Sequence, residues 1–198
     1  IHEWWGVNDD IKDLAKQFAE AGYVALVVDL YNGQSTTDRA RAGELAGAVR
    51  ADVPSALSHL SDAVGYLKTR PEVKDDSLAS VGWCFGGGWA LQMALNELGT
   101  KASVMYYGQF DPAADFAHMK SSILGHFGET DRAIAVDSVR EFAATLESLN
   151  GQHEVYIYPN VGHGFANYRG GDNLEYSEAA AKEAWERTLI FLTNSLEE

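Results

Sequence analysis

The chain has 198 residues, 46% of them hydrophobic and 22% charged, the balance expected of one globular domain with a sizeable core. Its formal net charge of −14 argues against nucleic acid or an anionic membrane as partner, since both need a basic surface. No apolar run is long enough to span a membrane, no secretory leader is expected, and a single cysteine excludes an internal disulfide.

Residues 1–8, IHEWWGVN, read as the end of a strand followed by a loop. Asn8 or Asp9 caps a helix that runs to Ala21, with Ile11, Leu14, Ala15, Phe18 and Ala19 at helical spacing and Gly22 as its stop. Residues 23–28, YVALVV, form a continuous apolar run of the kind buried on both faces of a parallel sheet. Asp29-Leu30-Tyr31-Asn32-Gly33 leaves that strand. Residues 33–53 show no strong period and read as a long, partly helical excursion, a segment type that often forms lids or substrate loops. Arg39, Arg41 and Arg50 lie in it, either as solvated charge or as contacts for an anionic substrate. Pro54 opens a further helix with Leu57, Leu60, Val64 and Leu67 inward, and His59 on it reads as a surface or packing residue.

Residues 77–98, SLASVGWCFGGGWALQMALNEL, then give strand, sharp turn and helix. Gly82-Trp83-Cys84-Phe85-Gly86 fits the nucleophile elbow Gly-x-Ser-x-Gly with cysteine in place of serine. Such a turn projects Cys84 Sγ into a cleft at a helix N-terminus, where the positive end of the helix favours the thiolate. It also makes the Phe85 N–H an oxyanion donor. A reactive thiol is easiest to keep in a reducing compartment, so a cytoplasmic location is expected.

Gly99 ends the elbow helix, and strands follow at 102–107 and 122–127, the second leading into Gly128-Glu129-Thr130-Asp131. A helix is predicted over 135–149, a last strand over 153–158, then Gly162-His163-Gly164-Phe165, a polar loop and a final helix over about 177–196. The alternation predicts an α/β fold, a mostly parallel sheet with helices on both faces and its ligand site at the carboxyl ends of the strands. Cys84, Asp131 and His163 each follow a predicted strand, in the order nucleophile, acid, histidine that marks α/β-hydrolases. In that arrangement His163 takes the thiol proton and later activates water, while Asp131 fixes its tautomer and stabilises its cation. Asp111 and Asp137 are rival acids, but Asp131 alone sits in a short turn directly after a strand, and Asp29 precedes the nucleophile. His126 reads as a core residue and His118 and His153 as surface ones; His2 adjoins the active-site loop and stays a candidate. No ligand spacing matches a metal site and no phosphate loop is present, so neither metal nor cofactor is expected.

These residues resemble the dienelactone hydrolase family of α/β-hydrolases, over nearly the whole chain. The resemblance rests on residues 1–8, Asp29-Leu30-Tyr31, the Cys84 elbow, Gly128-Glu129-Thr130-Asp131 and Gly162-His163-Gly164-Phe165. It implies hydrolysis of an enol lactone such as dienelactone through a thioester acyl-enzyme. It also implies that Glu3 modulates the nucleophile and that the Trp4 N–H is the second oxyanion donor. The alternatives are a broad-specificity carboxylesterase or thioesterase, and a non-catalytic binding protein with the same fold. Where the family's lactone hydrolases carry a carboxylate-binding arginine four residues after the histidine, this chain has Asn167, with Arg169 two further on. Arg39 or Arg41 matches the family's other such arginine. The family also has about three strands ahead of the Glu3 loop, one of them between the strands at 23–28 and 78–83. This chain is therefore expected to lack its natural start, and to repack or to form a homodimer by exchanging a strand.

Overall fold

The computed structural model describes residues 1–169 and 176–197. Four parallel strands lie side by side in chain order: β1 (Ala79–Trp83), β2 (Ala102–Tyr106), β3 (Ser122–Gly128) and β4 (Glu154–Tyr158). Their apolar runs carry little polar alternation because helices cover both faces, and every residue of β2 is buried. Trp83 pairs with Tyr106, Tyr106 with His126, and Gly128 with Tyr158, so the carboxyl ends of the strands finish along one edge.

Parallel neighbours need crossovers, and α4 (Phe85–Leu95) links β1 to β2 while α5 (Val136–Glu147) links β3 to β4. On one face, α1 (Asp9–Glu20) and α6 (Glu178–Glu197) pack Phe18 and Phe191 against Trp83, Tyr106 and Leu124. On the other, α4 lies between two clusters. Leu60 of α3 (Val53–Lys68) and Leu45 of α2 (Arg39–Ala51) meet Phe85 and Trp89 in one, and Ile123, Phe127 and Phe142 gather in the second. Because α4 is enclosed, it is apolar nearly all round. Among the described residues no helix is long and apolar enough to cross a membrane.

Caps fall where residue type dictates. The Asn8 side chain accepts from the Ile11 N–H at 3.2 Å. Asp38 accepts from the Arg41 N–H, and Asp52 both closes α2 and caps α3 through the Ser55 N–H. The excursion at 33–53 is thus mostly the helix α2. It buries only Ala42, Leu45 and Ala46, which is why its apolar period is weak. Part of the polar loop before α6 lies outside the described residues.

The predicted strand at 23–28 differs. Its residues belong to no strand, and the four-stranded sheet does not include them. An apolar run becomes a sheet strand only when a neighbour meets its N–H and C=O groups. Here a groove of about 470 Å³ takes the neighbour's place, walled by residues 23–27 on one side and by Leu78, Ala79, Val81 and Trp83 on the other. Val24 and Leu26 are 50% and 37% exposed. On this side of β1, among the described residues, only Ile1 bonds the strand in ladder fashion. Its main-chain nitrogen donates to the Val81 carbonyl at 2.6 Å, and its carbonyl accepts from the Trp83 N–H at 3.4 Å.

Candidate active site

The site is built at the carboxyl edge of the sheet, beginning with the turn after β1. Cys84 has φ +52° and ψ −113°, a conformation that costs a non-glycine residue on the order of 1–3 kcal/mol. Its N–H donates to the Tyr106 carbonyl at 2.9 Å, and its carbonyl accepts from Gly87 and Gly88, so neighbouring structure holds the strain. A Cβ on Gly82 would overlap the Gly86 carbonyl, and a Cβ on Gly86 would overlap the carbonyl of Ile1. The two glycines of the motif are therefore steric requirements, one within the elbow and one where residues 1–2 cross it.

The sequence-predicted acid and histidine arrive from the next strand ends. Asp131, in the turn after β3, has a fully buried side chain, and its Oδ1 accepts from the N–H groups of Ala133 and Ile134 at 2.7 and 3.1 Å. Its Oδ2 lies 2.8 Å from His163 Nδ1, and His163 Nε2 lies 3.1 Å from Cys84 Sγ. Burial disfavours the imidazolium, but the hydrogen bonds to Asp131 and Cys84 outweigh it and push His163 up to about 10. The cation is the form that complements a thiolate.

Glu3 comes from the loop that crosses the elbow. Its carboxyl accepts from Asn167 Nδ2 at 2.5 Å and from the Tyr107 hydroxyl at 3.3 Å, and no hydrogen bond joins it to Cys84 among the described residues. Burial raises it to about 7, against the opposing pull of Asn167, His163 and Tyr107. Neither the Trp4 N–H nor the Phe85 N–H donates to a protein acceptor among the described residues, which leaves one main-chain donor free at the elbow and one on the loop that crosses it.

The basic and amide candidates are engaged elsewhere. Asn167 spends its amide N–H on Glu3 and its Oδ1 on the Arg169 N–H. Arg169 pairs with Asp10 and Asp13 of α1 at 3.2 and 2.7 Å and stacks on Tyr168. Arg41 binds Glu44 and Gln34 on its own segment. Arg39 is exposed on the first turn of α2. Arg50 instead lies over the ring of Phe85, 5.4 Å from its centroid. Tyr107 was not singled out by sequence reasoning, yet it contacts both Glu3 and, edge-on at 5.1 Å, His163. The available signal was its position directly after β2, at the same edge as the other three groups. His126 is a core residue, as its apolar strand implies, held between Thr188 and Tyr158. Among the described residues no cluster of three or more His, Cys, Asp or Glu side chains has metal-ligand geometry.

Similarity to known proteins agrees with this architecture. A Klebsiella pneumoniae structure provisionally named a dienelactone hydrolase is 26% identical, covers 97% of this chain and 84% of its own, and superposes with a TM-score of 0.79. A dienelactone hydrolase-like promiscuous phosphotriesterase from metagenomic libraries shares the fold at TM-score 0.85, with 24% identity over 98% of this chain and 84% of its own. A Bradyrhizobium protein provisionally named a 2-oxo-3-(5-oxofuran-2-ylidene)propanoate lactonase is 32% identical over 94% of this chain and 79% of its own length. A Salmonella typhimurium protein provisionally named a carboxymethylenebutenolidase is 30% identical over 96% and 73%. The model of the dienelactone hydrolase family matches residues 1–196. The chain belongs to the dienelactone hydrolase family and is a hydrolase of the α/β class.

Proposed function

We propose that this enzyme cleaves small esters or enol lactones of the dienelactone type through a Cys84–His163–Asp131 triad and a thioester acyl-enzyme. The observation that carries the reading is the continuous line Asp131 Oδ2, His163 Nδ1, His163 Nε2, Cys84 Sγ, with contacts of 2.8 and 3.1 Å. In the forward step the Cys84 thiolate attacks the ester carbonyl carbon, and the proton it gave up resides on His163. The carbonyl π pair moves to oxygen, where the Phe85 and Trp4 N–H groups receive it. Collapse breaks the C–O bond, and His163 returns its proton to the leaving oxygen. In a lactone that oxygen stays tethered to the acyl group. His163 then deprotonates water, which attacks the thioester, and the thiolate departs as the carboxylic acid forms.

The substrate class draws on the names of the Bradyrhizobium and Salmonella relatives, a lactonase and a carboxymethylenebutenolidase. The broader esterase or thioesterase reading has an observation of its own. Of the side chains expected to bind a substrate carboxylate, Arg41 and Arg169 are held by carboxylates of the chain itself and Asn167 by Glu3, leaving Arg39, which favours a neutral acyl group over one bearing a carboxylate. The free thiol of Cys84 fits a cytoplasmic setting.

The test is a panel of dienelactone, p-nitrophenyl acetate or butyrate, and a thioester, run with the wild type and with Cys84→Ala. Turnover is expected to fall by about 10³-fold or more in the variant. The preferred wild-type substrate separates lactonase from general esterase. Equal turnover by Cys84→Ala overturns the mechanism, and no turnover from a folded, reduced wild type returns the chain to the non-catalytic reading.

A further inference from the structure

We propose that His2 is a positioning residue that aims the Trp4 N–H at the oxyanion. The inference rests on the ester-hydrolysis reading, because that N–H matters to rate only where negative charge develops on a carbonyl oxygen.

The side chain of His2 is fully buried, on a loop, with a hydrogen bond at each ring nitrogen. The Leu30 N–H lies 3.2 Å from Nε2, and His2 Nδ1 lies 2.5 Å from the Glu3 carbonyl oxygen. An amide N–H can only donate, so Nε2 accepts and the single proton of the neutral ring sits on Nδ1. A carbonyl can only accept, so Nδ1–H donates to Glu3. The two bonds thus select one tautomer and one ring orientation. Burial agrees, since it lowers the ring to about 4 and keeps it neutral near pH 7.

The Glu3 carbonyl and the Trp4 N–H belong to one planar peptide unit and point in opposite directions. Fixing the carbonyl therefore fixes the direction of the N–H. The same carbonyl accepts from the Gly6 N–H at 3.2 Å, and the next carbonyl, of Trp4, accepts from the Tyr31 hydroxyl at 3.2 Å, so both flanking peptides are held. Donation into a carbonyl also polarises the peptide and strengthens its N–H as a donor. On its other side the His2 ring stacks on Phe85 at 5.6 Å with an interplanar angle of 16°, and meets the edge of Tyr31 at 4.6 Å. Phe85 supplies the second free donor. One imidazole therefore bonds the peptide that carries one donor and packs against the side chain of the residue that carries the other.

Two near-isosteric variants separate this role from simple packing. Asn places its amide near the Nδ1 position and keeps the bond to the Glu3 carbonyl. Gln places its amide near the Nε2 position and keeps the bond to Leu30. Each breaks one buried bond, so both are expected to melt below the wild type. With p-nitrophenyl butyrate, kcat of His2→Asn is expected within about threefold of wild type, and kcat of His2→Gln about 10- to 100-fold lower, with KM within twofold in both. Alkylation of Cys84 by iodoacetamide builds no oxyanion, and its rate is expected to match wild type in both variants. Equal kcat in the two variants, the reverse order, or an alkylation rate that falls in step with kcat overturns the proposal. Absence of ester turnover by the folded, reduced wild type identifies failure of the ester-hydrolysis reading itself, and the role of His2 falls with it; turnover that survives Cys84→Ala identifies failure of the Cys84 nucleophile.

Discussion

Strand β1 is finished in two different ways. At its carboxyl end the chain turns through Cys84 with φ +52°, and the strain is carried by a bond to the Tyr106 carbonyl of β2. Along its outer edge, away from β2, a groove of about 470 Å³ separates it from residues 23–27, and Val24 and Leu26 face solvent. The contrast shows what the site depends on. Cys84, Asp131 and His163 follow β1, β3 and β4, and each leaves the carboxyl end of a strand that is paired with a parallel neighbour. The groove edge meets the site through residues 1–3, where Ile1 joins β1 and His2 and Glu3 continue into the elbow loop. Changes at the carboxyl edge are therefore expected to act on rate, and changes along the groove to act on local stability.

The largest effect that sharpens this contrast, beyond loss of Cys84 itself, is expected from Asp131→Asn. The amide oxygen can still accept from Ala133 and Ile134, so the turn should persist. What is lost is the carboxylate opposite His163 Nδ1, the group that in the proposed mechanism stabilises the imidazolium and fixes its tautomer. A fall in kcat of about 10³- to 10⁴-fold is expected, measured on the best substrate of the panel, together with a lower melting temperature near neutral pH because the His163 cation loses its buried partner. A large drop in melting temperature with little loss of kcat would place Asp131 among structural residues.

Next in size is a pH effect at Glu3. Its carboxyl rises from 4.5 to about 7 in the folded protein, so between those values the folded state binds more protons than the unfolded one. Stability then falls as pH rises through that window, by an amount on the order of 1–3 kcal/mol. His163 acts on higher pH. Its rise from 6.5 to about 10 contributes stability that is complete below 6.5 and lost as pH climbs through 10. Glu3→Gln removes the first loss only. Its melting temperature relative to wild type should therefore increase from pH 4 to pH 8, and a flat difference across that range would show that Glu3 ionises freely.

How much of this was legible in the sequence follows from how local each signal is. The elbow was legible because its motif is contiguous: Gly82 is demanded by the Gly86 carbonyl four residues on, whereas the demand on Gly86 comes from the distant Ile1 carbonyl and left no local trace of its cause. The cap at Asn8 and the Asp131 turn were legible for the same reason, since the groups they satisfy lie within three residues. The run YVALVV states a preference for extended backbone, but pairing is a property of its neighbours in space, and no count of β-branched residues reports on them. Helix α2 was hard to see because only three of its positions are buried. The commitment of Arg169 to Asp10 and Asp13 joins residues more than 150 positions apart, which no spacing rule could anticipate. His2 sits on a loop, where burial leaves no periodic trace.

The smallest effects belong to the groove, and they bear most directly on the comparison. Amides in β2 and β3 are bonded on both sides within the sheet, whereas residues 23–28 have no ladder. Hydrogen exchange should therefore find residues 23–28 opening with far lower free energy than β2 and β3, near the loop end of the range. Val24→Thr, at a half-exposed position, should shift stability by no more than about 0.5 kcal/mol and leave kcat unchanged. Protection over 23–28 equal to that of β2 would show that a ladder forms there. Protection that rises with protein concentration would assign its other half to a strand exchanged from a second copy. In either case the groove would close, and the two ends of β1 would no longer differ in kind. If exchange is fast and independent of concentration, the edge of the sheet is open while its carboxyl end stays ordered. The site geometry then rests on β1 to β4 and the crossing loop alone.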